Sequence, residues 1–515
     1  MTVADPCRKN REMRRAGPVA VLSLVALAAG GCASRRPLDP RRPTGDVWIR
    51  GVTVVSPERP AALPHAHVLI RDGRITSVGS APPPGGFTAS TTIDGSGRYL
   101  VPGLIDGHVH LGEVPGLSRE QAGALPELVE RYFRQLPRSY LYFGFTAVVD
   151  LNVVDRARVQ SIRAAAVGPA VFDCGNALAL ANGYPMSYAP SPERFDFFPN
   201  FLYDARQADS IPSRYPASEH TPRAAVGRVA AGGGICVKSA FESGFGAQRG
   251  KLPTPTEALM REVLVASHER HLPLLLHANS LTAHRFAAAI PVDAVVHGLW
   301  NWEGAPVAAG LPLQVRQVLD DERKAGVAAM ATLRVIGGLA DLFSPAFLDD
   351  PHLPRVVPGE LLAWYRRDGA WFARDLRRDF EGLPPEQIRR ILEHTRDGGA
   401  AAIRVFASSG GRLLFGSDTP SGPIYANPPG YNGYLEMLEL ERAGIPPREI
   451  LAAATSATAR FFGLDADYGT IEPGKRASLL LLGADPQRSV AAFDAIELVI
   501  QGERILARSS LAASP

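Results

Sequence analysis

The chain has 515 residues, of which 46% are hydrophobic and 21% are charged. This is the composition of an ordinary globular protein, and it excludes global disorder and a multi-span membrane protein. The length is sufficient for more than one domain and for a large buried core.

The first 31 residues differ from the rest of the chain. Five basic residues precede the apolar run AGPVAVLSLVALAAGG, and Cys32 follows it directly. A run of sixteen residues is short for a spanning helix, so this order is typical of a secretory signal. The small residues before Cys32 resemble the lipobox of bacterial lipoproteins, although Ala29 stands where leucine is usual. We therefore expect an acylated Cys32 that anchors the protein in the bacterial periplasm, at the inner leaflet of the outer membrane. A plain secretory signal cut nearby is the alternative, and translation from Met13 would give a more compact leader.

The net charge of +3 comes from this leader. The leader holds five basic and two acidic residues, which leaves 50 of each in the remainder. A formally neutral body does not predict nucleic-acid binding, and the only membrane contact expected is the lipid anchor. Residues 32–45 are rich in Pro and Arg and are typical of a stiff tether. Beyond the leader and Cys32, the only cysteines are Cys174 and Cys236. Two cysteines do not make a disulfide framework, but they allow one disulfide bond.

Both ends of the remaining chain are rich in β-strand patterns. Short apolar runs broken by Gly, Asp and Pro occupy residues 46–102, and similar runs return in residues 466–510. We expect these two segments to pair as a small discontinuous β-sandwich domain. Its two histidines at alternate positions, His65 and His67, are interpreted as structural or surface residues.

The middle of the chain, residues 103–465, alternates between strand and helix patterns. A helical pattern spans residues 254–271, with Thr254 or Thr256 as its N-cap. Eight strand patterns alternate with helix patterns in this region, and eight such βα units predict an α/β fold, specifically a (β/α)₈ TIM barrel. A doubly wound open sheet is the alternative. The eight apolar runs predicted to form strands are residues 104–110, 146–151, 169–174, 235–240, 272–278, 293–298, 326–333 and 412–418.

Polar side chains lie at the predicted carboxyl ends of several of these strands, where active sites of such barrels are found. Residues two apart on a strand point to the same side, so a pair in the first strand can converge on one ion. Neutral imidazoles and a carboxylate suit Zn²⁺ and similar divalent ions. On its own, the histidine pair could be exposed on an edge strand, and a lone histidine after an apolar strand is more often a hydrogen-bonded core residue than a ligand. The candidate ligands are His108, His110, Lys238, His277, His297 and Asp418.

Lys238 is the unusual member of this set, because an ammonium group repels metal ions. It could extend out of the strand end into solvent. Alternatively, a desolvated and deprotonated lysine can react with CO₂ to give a carbamate, whose two oxygens can bridge two metal ions. Its position on the fourth predicted strand, between the histidine groups, favours the carbamate.

Five segments together resemble the amidohydrolase superfamily, in the binuclear branch that includes imidazolonepropionase-like and prolidase-like hydrolases. They are GLIDGHVHLG, VKSAFESG, LLLHA, VVHG and FGSDTP, in the family's order, and GTIEPGKRASLLLL is similar to the family's return to its β domain. The resemblance covers about residues 46–505.

This resemblance implies a function and a role for each candidate residue. His108, His110 and Asp418 would hold one divalent ion, His277 and His297 the other, and carboxylated Lys238 would bridge both. The ions would be zinc, with Mn, Co or Fe as alternatives. A bridging hydroxide would attack an amide-type C–N bond of a small-molecule substrate that is peptide-like, an N-acyl amino acid or a cyclic amide. Asp418 would act as base and then as acid. The resemblance leaves a homo-oligomer open.

The chain departs from prolidase-like relatives after the third predicted strand. Those relatives often have a Gly-Gly-His turn, whereas this chain has NGYP, with Tyr184 at the histidine position. Tyr184 is therefore a candidate substrate contact, and a dipeptide substrate is put in doubt. Two long loops, residues 182–222 and 334–411, are rich in aromatic residues and are expected to be lids over the site, structural padding or a dimer contact.

Two other functions stay open from sequence. A mononuclear deaminase of the same superfamily shares the histidines and the aspartate but has no metal-bridging lysine, so Lys238 argues against it. A non-catalytic binding lipoprotein on this scaffold should have lost one or more ligands, and all six are present. Asp106 alternates with the histidine pair on the same strand and is given no direct role.

Overall fold

A computed structural model describes residues 45–83, 87–189, 193–304 and 310–514. The leader, Cys32 and nearly all of the tether lie outside these ranges, so the lipoprotein signal stays a prediction. Within these ranges, no helix has an apolar stretch of the length that is needed to cross a membrane.

The described residues form sixteen strands and sixteen α-helices, with a π-helical turn, Ala453–Ala457, between the last two helices. The strands are β1 Val47–Val54, β2 Leu63–Arg71, β3 Arg74–Gly79, β4 Thr91–Asp94, β5 Tyr99–Pro102, β6 Leu104–Val109, β7 Phe145–Asp150, β8 Ala170–Asp173, β9 Val237–Ala240, β10 Leu274–His277, β11 Ala294–Val296, β12 Ala328–Met330, β13 Leu413–Leu414, β14 Ser478–Leu482, β15 Ile496–Gln501 and β16 Arg504–Ala507. The helices are α1 Arg119–Ala124, α2 Pro126–Tyr142, α3 Arg156–Arg163, α4 Arg194–Phe197, α5 Pro222–Ala231, α6 Glu257–His268, α7 Leu281–Ala289, α8 Leu313–Ala325, α9 Arg334–Asp341, α10 Leu353–Val356, α11 Gly359–Asp368, α12 Trp371–Asp379, α13 Pro385–Ser408, α14 Tyr431–Arg442, α15 Pro447–Ala452 and α16 Thr458–Phe461.

Strands from both chain ends belong to one sheet. Its order is β16-β15-β14-β5-β1-β2-β3, and β4 pairs with β1. The two ends meet where β5 and β14 pair antiparallel, with Leu100 opposite Leu481. Alternate residues on each side of a one-residue register shift in β1 are buried, as expected for a strand with one face on a core: Val47 and Ile49, then Val52 and Val54. Strands from both chain ends therefore pair in a single mixed sheet, whereas the two sheets of a sandwich were expected, and the separate β domain stays a prediction.

His65 and His67 lie on β2 of this sheet. His65 is exposed, and Nδ1 of His67 accepts a hydrogen bond of 3.1 Å from the indole nitrogen of Trp48. This supports the interpretation of the pair as structural and surface residues.

The eight strands predicted for the middle of the chain are all present, as β6 to β13, and they are parallel to their neighbours. They form two sheets, β6-β7-β8 and β13-β12-β11-β10-β9, so the α/β class is confirmed but one continuous ring is not observed among the described residues. Isolated pairings join the two sheets at each edge, between Val109 and Thr419 and between Leu178 and Ser239. All of these strands except β7 are shorter than their apolar runs: β12 has three residues within the predicted eight.

One buried cluster draws side chains from most of these parallel strands. Strands covered on both faces are apolar throughout, which explains why the sequence shows continuous runs and no alternation. The strand residues of the cluster, with the cysteines that flank β8 and β9, are Val149, Cys174, Cys236, Leu275, Ala294, Val296, Ala328, Met330 and Leu414.

A disulfide joins Cys174 to Cys236 at the junction between the two sheets. Cys174 follows β8 and Cys236 precedes β9, with their Cα atoms 4.6 Å apart. The backbone N–H of Ile235 donates to the carbonyl of Asp173 at 2.9 Å beside this bond. The single bridge that the cysteine count left open is therefore formed.

The two long insertions differ in structure. Residues 182–222 hold α4 and short 3₁₀ turns around a small aromatic core that includes Phe195 and Phe201. Residues 334–411 are mostly helical, from α9 to α13, so their interpretation as a loop was wrong. The N-cap of helix α6 is Thr256, and its side chain accepts a hydrogen bond from the backbone N–H of Leu259. Of the two predicted N-caps, Thr254 and Thr256, the second is therefore the one observed.

Candidate metal centre

The candidate ligands lie within or just after five of the parallel strands. His108 is in β6 with His110 just after it, Lys238 is in β9, His277 ends β10, His297 follows β11, and Asp418 follows β13. Carboxyl ends of neighbouring parallel strands share one edge, so the strand order brings the six side chains to one face.

The tightest group consists of His108, His110 and Asp418. The Nε2 atoms of the two histidines lie 3.0 and 2.9 Å from Oδ1 of Asp418, and the ligand-type atoms of all three lie within 4.8 Å of one another. Donor atoms around a tetrahedral zinc ion, with bonds of about 2.1 Å, lie roughly 3.4 Å apart. The described residues thus contain a His-His-Asp group that can hold a metal ion.

The chemical state of His108 fits a metal ligand. Its side chain is fully buried, and neither ring nitrogen has a hydrogen-bond partner within the described residues. Burial is the main effect that lowers the pKa of His108, to about 3, against the attraction of Asp418. A neutral, buried imidazole whose Nε2 faces a carboxylate without forming a hydrogen bond has a lone pair available to a metal ion.

The pKa of Asp418 responds to the same neighbours. Burial raises the pKa of this carboxyl, but the close approach of the His108, His110 and His297 rings outweighs burial and holds the pKa well below its ordinary value. Burial lowers the pKa of His110, yet the hydrogen bond and charge of Asp418 raise it overall. Asp418 is therefore ionised and available to a cation.

A second pair of histidines adjoins this group. The ring centroids of His277 and His297 are 4.4 Å apart, and the ring of His297 lies 5.4 Å from that of His108. Nδ1 of His297 is 3.8 Å from Oδ2 of Asp418. Burial lowers the pKa of both His277 and His297, so both rings are neutral.

Lys238 lies beside these groups with 7% of its surface exposed. Burial lowers the pKa of its amine to about 8, although the charge of Asp418 acts in the opposite direction. A lysine that extended into solvent would be exposed, so that alternative is excluded by the burial. The lowered pKa makes the neutral amine, the form that reacts with CO₂, accessible near physiological pH.

Asp106 holds the turn that carries Asp418. Its carboxylate accepts the backbone N–H of Ser417 at 2.9 Å and the hydroxyl of Ser417 at 2.5 Å. The backbone N–H of Asp418 donates to the carbonyl of His108 at 2.8 Å. Asp106 is therefore a structural support that connects the first and last strands of the centre.

Tyr184 lies directly against the second histidine pair. Its ring centroid is 4.5 Å from that of His277 and 5.6 Å from that of Phe245. Burial is the first cause that raises the pKa of its hydroxyl, so the group is a neutral donor. The segment 182–222 thus brings an aromatic side chain to the site, and Tyr184 stays a candidate substrate contact.

Two neighbours of the second pair were not singled out from sequence. Thr332 follows β12 and its Oγ1 lies 2.8 Å from Nδ1 of His297. Glu242 follows β9 and its Oε2 lies 3.7 Å from Nε2 of His277. Both are polar residues just beyond strand ends, the same signal that identified the six ligands, but a threonine or glutamate there has no distinctive spacing.

Part of the chain is similar to proteins of a known family. Residues 375–505 match the family described as the amidohydrolase family. A D-hydantoinase of Streptomyces coelicolor is 47% identical over 91 residues, which is 17% of this chain and 18% of that protein. An adenine deaminase of Deinococcus deserti is 40% identical over 67 residues, 13% of this chain and 12% of that protein. The chain therefore spans under a fifth of the length of these curated relatives.

Solved structures match over most of the chain. A crystal structure of an amidohydrolase has a TM-score of 0.63 at 22% identity, covering 90% of this chain and 99% of its own. A Xaa-Pro dipeptidase has a TM-score of 0.61 at 18% identity, covering 90% and 100%. The ochratoxinase of A. niger has a TM-score of 0.63 at 18% identity, covering 90% and 96%. The chain shares the fold of these proteins.

Proposed function

We propose that the protein is a metal-dependent hydrolase that cleaves an amide-type C–N bond of a small-molecule substrate. The observation that carries the proposal is the convergence of Nε2 of His108, Nε2 of His110 and Oδ1 of Asp418 on one buried point. The relatives named as a D-hydantoinase and a Xaa-Pro dipeptidase support an amide-type bond. Peptide-like, N-acyl amino acid and cyclic amide substrates all fit this class.

The residues present fit two divalent ions, with zinc the first candidate from imidazole and carboxylate donors. His108, His110 and Asp418 would hold one ion, His277 and His297 the other, and a carbamate formed on Lys238 would join them. Bound ions of this kind polarise a carbonyl and lower the pKa of water towards neutrality.

Within this arrangement, Asp418 moves the proton. Its Oδ2 is on the side of His297, while Oδ1 faces the first pair of histidines. The ionised carboxylate accepts a proton from the attacking water and returns it to the leaving nitrogen. Tyr184, a neutral donor whose ring lies against His277, would hydrogen-bond a polar group of the substrate.

The side chains of the site come together only if β6 and β13 are neighbours. We therefore infer that the two parallel sheets are parts of one (β/α)₈ barrel. Backbone hydrogen bonds between Gly107 and Phe415 and between His110 and Thr419 support closure at one edge. The disulfide and the pairing of Leu178 with Ser239 support it at the other. We assign residues 103–465 to this barrel and residues 46–102 and 466–510 to a separate β domain.

A second candidate is a mononuclear deaminase. Relatives named as adenine deaminases favour it. The burial of Lys238 beside His277 and His297 favours the binuclear hydrolase, because a deaminase has no use for a bridging lysine at this position.

Metal content distinguishes the candidates. We expect about two ions for each chain after loading with Zn²⁺ and bicarbonate, and hydrolysis of at least one member of a library of dipeptides, N-acyl amino acids and cyclic amides. A stoichiometry near one, with Lys238→Ala fully active, would exclude the binuclear hydrolase. Release of ammonia from adenine-like bases without amide hydrolysis would favour the deaminase.

We also propose a periplasmic location with an acylated Cys32. The disulfide between Cys174 and Cys236 supports an oxidising compartment, because such bonds persist outside the cytosol. Mass spectrometry of the mature N-terminus tests the proposal, and an unmodified N-terminus at another residue would contradict it.

A further inference from the structure

We propose that the substrate carries an aromatic group, and that three aromatic side chains beside the second pair of histidines bind it. These side chains, Tyr184, Tyr188 and Phe245, are called the aromatic cluster. They come from two separate segments of the chain, residues 182–222 and the segment that follows β9. The inference rests on the proposed hydrolase function and narrows it to amide-type substrates with a flat apolar ring near the scissile bond.

The aromatic cluster begins at His277 and extends towards solvent. The ring centroid of Tyr184 is 4.5 Å from that of His277. From Tyr184, the ring centroids of Phe245 and Tyr188 are 5.6 and 5.9 Å away. The exposed fraction rises along this series, because Tyr184 is half-buried whereas Phe245 and Tyr188 are 42% and 51% exposed. The three rings therefore form a continuous apolar surface from the candidate metal centre to solvent.

Two exposed aromatic side chains at this place are unusual for the molecule. Among the residues that the structure describes, five large hydrophobic side chains are exposed, and Phe245 and Tyr188 are the aromatic ones. Exposed apolar patches often mark binding surfaces. Pockets for small molecules are lined mainly by aromatic and other hydrophobic side chains around a few polar groups. The aromatic cluster and the adjoining histidines together have this composition.

The backbone holds Phe245 in its exposed position. The N–H of Phe245 donates to the hydroxyl of Tyr188 at 3.0 Å, which joins the two segments. Gly244 and Gly246 flank Phe245 with φ of +111° and +53°, a region that favours glycine. A Cβ on Gly244 would overlap the carbonyl oxygen of Gln248, so the chain packs closely against itself here. The fold therefore imposes the exposed position of the Phe245 ring.

The arrangement of the rings favours an aromatic group over an aliphatic one. Tyr188 and Phe245 meet the ring of Tyr184 edge to face, at interplanar angles of 78° and 85°. Aromatic rings have a negative face and a positive edge, so they attract one another beyond the effect of buried area. An aromatic substrate group on the exposed sides of Phe245 and Tyr188 would extend this arrangement, whereas an aliphatic group would gain only from burial.

The test measures the binding of three hydroxamates to the zinc-loaded full chain by isothermal titration calorimetry. All three probes chelate zinc through the same group, and acetohydroxamate, cyclohexanecarbohydroxamate and benzohydroxamate differ in the group that they present to the aromatic cluster. Phe245→Leu and Tyr188→Leu replace an aromatic side chain by an aliphatic one, whereas Phe245→Tyr keeps the ring. Phe87→Leu is the matched control, because Phe87 is a partly exposed ring that meets Trp48 edge to face in the sheet of the chain ends.

We expect benzohydroxamate to bind the wild type more tightly than the other two probes. Phe245→Leu and Tyr188→Leu should each weaken benzohydroxamate by about 2- to 10-fold and change the affinity for the other two probes by less than about 2-fold. Phe245→Tyr should recover most of this loss, and Phe87→Leu should bind all three probes as the wild type does. Since acetohydroxamate has no ring, its retained affinity shows that a variant is folded and loaded with zinc.

Unchanged binding of benzohydroxamate in both leucine variants would overturn the inference. Equal losses for benzohydroxamate and cyclohexanecarbohydroxamate would overturn the preference for an aromatic group, as would a loss that Phe87→Leu shares. If acetohydroxamate does not bind the zinc-loaded wild type, the proposed metal-dependent function fails first, which is a different outcome.

Discussion

Nε2 of His108 lies 3.0 Å from Oδ1 of Asp418, although His108 is in the first strand of the parallel set and Asp418 follows the last one. This contact forms only when β6 and the segment after β13 are neighbours. It therefore joins the chemistry of the site to the closure of the fold, and it makes Asp418 the most informative residue to change.

Asp418→Asn should lower the turnover number for amide hydrolysis by at least about 10²-fold, because a carboxamide cannot take a proton from water. The fold should remain, since Asp418 has φ of +54° and asparagine tolerates this left-handed conformation well. Steady-state kinetics and circular dichroism of the zinc-loaded proteins measure the two effects. Asp467→Asn, which removes only an ion-pair partner of Arg74 and Arg476, is the control and should keep full activity. Full activity in Asp418→Asn would rule out its role in proton transfer.

Carboxylation of Lys238 should depend on pH in a defined direction. Its pKa is lowered from 10.5 to about 8 by burial, so the ammonium form dominates below about pH 8 and the neutral amine above it. Only the neutral amine reacts with CO₂. We expect a carbamate signal in the ¹³C NMR spectrum of metal-free protein with ¹³C-bicarbonate, weak at pH 6.5 and strong at pH 8.5. Lys238→Ala should remove that signal, and an identical signal in this variant would assign the carbamate to another amine.

Gly416→Ala should damage the first metal site through His108. A Cβ at position 416 would lie 2.6 Å from Cβ of His108, well inside van der Waals contact, so the histidine or its strand must move. We expect weaker binding of the first zinc ion and a loss of about 1–3 kcal/mol in the free energy of unfolding. Gly79→Ala is a matched control because no atom lies within 4 Å of its added Cβ. Chelator competition and urea unfolding measure the effects, and unchanged zinc affinity in Gly416→Ala would contradict the packing argument.

The strand positions and the candidate ligands follow from the sequence for one physical reason. Parallel strands buried on both faces appear as continuous apolar runs, and functional side chains stand where each run ends. This is why β6 to β13 and the group of His108, His110 and Asp418 are found where the pattern predicts them.

The other features of the fold and of the site depend on contacts between residues far apart in sequence, which no short sequence pattern indicates. Whether three-residue strands such as β12 join into one sheet is decided by a few backbone hydrogen bonds, so the two-sheet arrangement could not be predicted. Segment 334–411 has helical residues without the alternation of a βα unit, which made it resemble a loop. Thr332 and Glu242 lie beside His297 and His277 but follow different strands, and a single chain gives no signal for such pairs.

The disulfide between Cys174 and Cys236 should contribute about 4 kcal/mol to the free energy of unfolding, because it closes a loop of 62 residues in the unfolded chain. We expect the double variant Cys174→Ala with Cys236→Ala to unfold at a lower urea concentration than the oxidised wild type. The variant also removes two buried sulfur atoms, so the reduced wild type is the proper control for packing. If the bond itself stabilises the protein, reduction should shift the wild type most of the way to the variant and leave the variant unchanged. A wild type that unfolds at the same urea concentration with and without reductant would show that the junction of β8 and β9 is held by its hydrogen bonds and apolar contacts alone.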